Sequence, residues 1–116
     1  NDIVHVENIP HEEILFYPVP ENLKFTLSNK LIHPGDSLQF TTATEIIAMP
    51  MTAPWGSMVG ALKKIIELKP KIVIPIHDWH WKDEALEGFY PRIADFLNQH
   101  GILFKQPQIG EALLLE

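Results

Sequence analysis

Apolar positions along this chain fall into two rhythms. In "LKFTL", Leu23 to Leu27, apolar and polar residues alternate, the period of a strand with one buried face. Ser28-Asn29-Lys30 joins that run to "KLIH", which predicts a hairpin. "TEIIAMP" and "KIVIPIH" are nearly continuous apolar runs, as expected of strands buried on both faces. Pro75 has no N–H for a ladder, so the second of these belongs near a sheet edge or close to its own end. Between them Met58, Ala61, Leu62, Ile65 and Ile66 recur at helical spacing, with Lys63, Lys64 and Glu67 off the stripe. Ser57 is a suitable N-cap and Pro70 a stop. A second helical pattern runs from about Lys82 to His100, with Leu86, Phe89, Ile93, Phe96 and Leu97 as its apolar side. Pro91 is expected to kink or split it, and Gly101 to close it. The first twenty or so residues read as irregular, with a short strand at Ile14 to Tyr17. "ILF" and "ALLLE" read as two short closing strands.

This order of strands and helices predicts an α/β fold. At 116 residues, 1–116 reads as one small domain or part of one. A hydrophobic share of 46% is enough for a packed core. The formal net charge of −6 repels phosphate backbones, so nucleic acid is not an expected partner. There is no cysteine, which excludes disulfides and thiolate metal sites and agrees with a reducing, cytoplasmic setting. No apolar run reaches the length of a membrane span, so no membrane partner is expected.

Chemistry concentrates at two strand ends. "LIHPGDS" places His33 and Asp36 around a Pro-Gly turn, and "IPIHD" ends on His77 and Asp78. Strand ends beside loops combine a rigid scaffold with a loop free to shape a site. Carboxylate and imidazole suit zinc, manganese or iron, although a catalytic zinc takes about three protein ligands. Each residue also has an ordinary reading. Asp36 could cap backbone N–H groups of its turn. His77 could be satisfied by Asp78. His80, between Trp79 and Trp81, reads as part of an aromatic lid, and His5, His11 and His100 as surface or core. Met49, Met51 and Met58 read as core filling.

"HPGDS", then "IIAMPMTAPWGSM", an amphipathic helix ending in "LKPK", and "IVIPIHD" together resemble the C-terminal half of metallo-β-lactamase-fold hydrolases, near the sugar-phosphate lactonases. The resemblance runs from about Leu23 to Glu116. It implies half of a four-layer αββα sandwich: a mixed sheet with helices on one face. It also implies metal-dependent hydrolysis of an ester, lactone or phosphodiester bond in a small-molecule substrate, with a divalent metal, zinc before manganese or iron. Asp36 matches the family's metal-bridging carboxylate, which orients the nucleophile, and His77 its last histidine ligand. Under the same resemblance His33 and Asp78 orient the ligands, and Trp55 is divided between substrate wall and plain packing.

The family's upstream motif His-x-His-x-Asp-His is absent, and Asn1 stands where a further ligand histidine would. The chain is therefore expected to begin in mid-domain and to lack the N-terminal half. On this reading it pairs with that half or forms a homo-oligomer. The competing reading is a metal-free remnant that binds a partner through the apolar face its other half would cover.

Overall fold

In a computed structural model, which describes residues 3–53 and 55–115, six strands form one mixed sheet with two helices. Asn1, where the resemblance expects a further ligand histidine, lies outside the described residues. The strands are β1 (Val4–Asn8), β2 (Leu23–Leu27), β3 (Leu31–His33), β4 (Ile46–Pro50), β5 (Ile72–Ile76) and β6 (Leu103–Phe104). They lie side by side in chain order. β1, β2 and β3 pair antiparallel, and β3 through β6 pair parallel.

The β2–β3 hairpin turns as expected. Ser28 and Asn29 both adopt left-handed φ, 51° and 52°, and Lys30 N–H returns to the Leu27 carbonyl at 2.9 Å. Two consecutive left-handed residues match the right-handed twist of the flanking strands. α1 (Met58–Leu68) starts where Ser57 Oγ accepts Gly60 N–H at 2.9 Å, and stops at left-handed Lys69. α2 (Asp83–Gln99) keeps Pro91 inside one continuous helix, so of the expected kink or split the split does not occur. The ring costs one hydrogen bond, to the carbonyl of Glu87, and that residue is exposed so water can take it.

Both helices cover the same face of the sheet. Ala61 and Ile65 of α1 and Tyr90, Ile93 and Leu97 of α2 share one core with Ile47, Met49 and Val73. Met51 is also fully buried there, and Met58 packs against it. Phe89 and Phe96, expected on the apolar side of α2, lie largely exposed, and Tyr90 takes their place. β5 is the last strand but one, and β6 runs only beside Ile72 and Val73, so Pro75 interrupts no β6 pairing.

Two further expectations are corrected. The N-terminal stretch holds a strand, β1, at Val4–Asn8 and not at Ile14 to Tyr17, which forms a bend. "ALLLE" forms no strand among its described residues, 112–115. On the sheet face away from the helices, Val4 pairs with Leu27 and Val6 with Phe25, and all four remain substantially exposed. Among the described residues no helix is long and apolar enough to cross a membrane.

Candidate metal centre

Topology brings the chemistry to one edge. β3, β4 and β5 are parallel, so the segments after them leave at the same end of the sheet. Two reversals make β1 parallel to β3, so the loop between β1 and β2 begins there too. Ligand sites of open α/β sheets favour the carboxyl ends of strands.

Asp36 is fixed by its main chain. Its N–H donates to Asn22 Oδ1 at 2.9 Å, and its carbonyl accepts Glu12 N–H at 2.9 Å. Asn22 Nδ2 also donates to the Pro34 carbonyl at 2.9 Å, so one amide side chain clamps both sides of the turn. Gly35, with φ +65°, presses against this clamp: a Cβ there would stand 2.3 Å from Asn22 Oδ1. Glu12 Oε2 accepts Leu38 N–H at 3.1 Å and Gln39 Nε2–H at 2.9 Å, tying the loop after β1 to the segment after Asp36.

The carboxylate then meets two imidazoles. His77 Nε2 lies 2.5 Å from Oδ1, and His11 Nε2 lies 3.4 Å from Oδ2. Oδ1 is closed to solvent and receives no hydrogen bond, because the His77 contact is close without being aligned as one. A buried carboxylate oxygen left so is costly. His77 itself takes a left-handed φ of 60°, a conformation that costs a residue with a Cβ about 1 kcal/mol or more.

The tautomer of His11 follows from its other nitrogen. Nδ1 lies 2.6 Å from the Glu12 carbonyl, which can only accept, so Nδ1 carries the proton. Nε2 is then either a second donor or a lone pair that faces a carboxylate across a cation. Two donors held about 2.0–2.1 Å from one tetrahedral ion lie about 3.4 Å apart, the separation seen between His11 and Asp36. The Asp36–His77 separation is shorter and would have to open by roughly 0.5–1 Å for the same purpose. Accordingly, among the described residues no three His, Asp or Glu side chains close on one point. The donors form a row, with one imidazole on each carboxylate oxygen. This donor set fits one side of a metal centre and leaves coordination positions to other groups.

The neighbours act on these three. His33 Nδ1 accepts Gly35 N–H at 3.2 Å, so its proton sits on Nε2 when the ring is neutral. Burial, and then the nearby His77, hold the His33 imidazole below its usual pKa. Asp78 accepts the Tyr90 hydroxyl at 2.7 Å, which places its carboxylate toward α2. Burial and then that hydrogen bond push the Tyr90 phenol above its usual range. Trp55 lies against both ring systems, 5.1 Å from His11 and 6.4 Å from His77 between centroids. Trp79 and His80 meet edge to face, with Trp79 exposed, and Trp81 packs on Phe89. His5 is exposed on β1, and His100 Nδ1 lies 2.9 Å from the Phe96 carbonyl.

Asp36 and His77 are thus brought together, with His33 and Trp55 beside them. His11, expected on the surface or in the core without a partner, is buried against Asp36. Asn22, Glu12 and Tyr90 were not singled out by sequence. The one local hint was "IPHEE", a histidine next to a proline after an alternating run.

No family model matches this chain. It is 29% identical over 91 residues to Protein Rv0786c of Mycobacterium tuberculosis (strain ATCC 25618 / H37Rv), a match covering 73% of this chain and 42% of that protein. Its fold is similar to the crystal structure of the "Putative metal-dependent hydrolase" of Parabacteroides distasonis ATCC 8503. The TM-score is 0.58 at 19% identity, over 89% of this chain and 50% of that one. The chain therefore spans half or less of the length of either protein, and what the likeness to the solved structure shows is a shared mixed α/β fold.

Proposed function

We propose that this chain contributes the Asp36–His77 side of the metal centre of a metallo-β-lactamase-type hydrolase, with His11 as a further ligand. The observation that carries the reading is the state of Asp36. One oxygen is buried without a hydrogen bond, and the other faces a histidine whose remaining nitrogen is already committed to a carbonyl. A ligating histidine characteristically hands its other N–H to such an acceptor. The name of the Parabacteroides neighbour agrees with this chemistry.

A divalent cation, zinc on this donor set, would supply Lewis acidity: it lowers the pKa of water and accepts charge as an ester, lactone or phosphodiester bond breaks. Asp36 would reach toward two coordination positions with its two oxygens. His77 and His11 would each take one. His33 and Asp78 would hold the surroundings of His77 in place, and Trp55 would exclude water from one flank. The remaining ligands would come from a segment that covers the exposed Val4, Val6, Phe25 and Leu27 face, in the manner of a four-layer αββα sandwich. That same face supports the competing reading, a metal-free module that pairs with a partner or a second copy.

The test is metal analysis and an esterase and phosphodiesterase panel on the complete protein and its Asp36→Ala variant. Near-stoichiometric zinc, lost with turnover in Asp36→Ala, is the expected result. A metal-free complete protein, or an unchanged variant, would favour the partner-binding module.

A further inference from the structure

Next to the carboxylate–histidine cluster the loop after β1 does something unusual for apolar residues. Leu15, Phe16 and Tyr17 are 85%, 89% and 68% exposed. Phe16 N–H reaches back to the Ile14 carbonyl at 2.9 Å, closing a γ-turn around Leu15, whose φ is +68°. That form of γ-turn is strained, because it holds a residue with a branched side chain at positive φ. Strain of this kind clusters at ligand clamps and active sites.

The turn forms one wall of a cavity of about 710 Å³ lined by Glu13, Ile14, Leu15, Phe16, Tyr17 and Trp55. This is within the volume range of small-molecule sites. Trp55 is one of its walls, and the same ring lies beside His11 and His77, so the cavity adjoins the carboxylate–histidine cluster through that ring. Charge narrows the occupant. Among the described lining residues none is basic and Glu13 is acidic, so a phosphate or carboxylate group would find repulsion and no partner.

We propose that this cavity holds the apolar acyl chain of a neutral ester substrate, with Phe16 as its outer wall and Trp55 dividing chain from scissile bond. This deepens the hydrolase reading and rests on it. In the reaction the oxygen of water bonds to the acyl carbon and the ester C–O bond breaks. One hydrogen of water leaves with the alcohol, and the other ends on the acid or on solvent.

The experiment uses the complete protein and Phe16→Ser. p-Nitrophenyl acetate and octanoate report turnover. 2-Pentanone and 2-decanone, neutral and not hydrolysable, report binding by calorimetry. The expected result is at least about tenfold tighter binding of decanone than pentanone, and a preference for octanoate, since each buried methylene contributes about 0.8 kcal/mol. Phe16→Ser should reduce both preferences about fivefold or more without lowering Tm. Chain-length preference in ketone binding without turnover would keep the cavity and overturn ester hydrolysis as the reaction beside it. Turnover without chain-length preference, or preferences unchanged in Phe16→Ser, would overturn the cavity proposal alone. So would a variant whose defects are a lowered Tm, meaning that Phe16 packs on another segment, or lost binding to phosphatidylcholine vesicles with ketone binding intact.

Discussion

The side-chain amide of Asn22 holds Asp36 from fourteen residues away: its oxygen takes the Asp36 N–H and its nitrogen serves the Pro34 carbonyl. Both bonds are made by a buried side chain, so removal leaves a buried donor and acceptor without partners. Asn22→Ala should lose about 2–4 kcal/mol of stability, by about 1–2 for each orphaned group. Chemical denaturation of the two proteins checks this. In a metal-loaded complete protein the same change should also weaken metal retention, because the carboxylate loses its support.

Gly35→Ala should be worse than an ordinary glycine replacement. The new Cβ meets Asn22 Oδ1, and φ +65° disfavours any side chain. A shift of about 2 kcal/mol or more is expected, against about 1 for left-handed strain alone. Equal stability of variant and parent by denaturant midpoint would show that the turn relaxes freely.

Metal removal should act through Asp36 and not through the aromatic cluster. Asp36→Ala and His77→Ala should each cost most of the bound metal of the complete protein. His80→Ala should leave it nearly intact, because the ring of His80 meets Trp79 edge to face and the imidazoles that contact Asp36 are those of His11 and His77. Elemental analysis after dialysis, with and without a chelator, reads all three.

Tyr90 gives the fold a weakness at high pH. Its folded pKa is raised, so the folded chain keeps a proton that the unfolded chain releases near its ordinary value of about 10. The contribution is complete below that pH and is lost progressively above it. Stability should therefore fall from about pH 10 upward, and Tyr90→Phe should flatten the fall while costing about 1–3 kcal/mol at neutral pH for the lost bond to Asp78. Urea midpoints at pH 8 and pH 11 compare the two.

The exposed Val6–Phe25 pair predicts self-association of this chain on its own. Sedimentation should show dimers or larger species at micromolar concentration. Val6→Lys with Phe25→Glu should shift the distribution toward monomer, because opposite charges tolerate one another across a strand pair and do not tolerate burial.

Local patterns were readable in this sequence wherever one segment fixes its own shape. The Leu23–His33 hairpin and the Ser57-capped helix depend on alternation, turn chemistry and a cap. The period-2 signal of β1 was present too, in Val4 and Val6 beside His5 and Glu7, but the prolines that follow obscured it. Ile14 to Tyr17 misled in the other direction, since an apolar run of strand-forming residues looks the same in a strand and in an exposed turn. The motif residues Asp36 and His77 could be picked out and their proximity could not be proved. His11, Glu12 and Asn22 were illegible for a different reason. Each acts across the chain, and a lone histidine or asparagine says nothing about a carboxylate it will meet only after folding.

The strands follow one another across the sheet in the order of the sequence. During synthesis each new strand thus finds its neighbour already made, and none must be inserted between two that have paired. The growing edge would move steadily from β1 toward β6. Among the described residues it ends on β6, two residues long, which leaves little ladder for a foreign strand to extend, whereas the outer edge of the five-residue β1 stays open throughout.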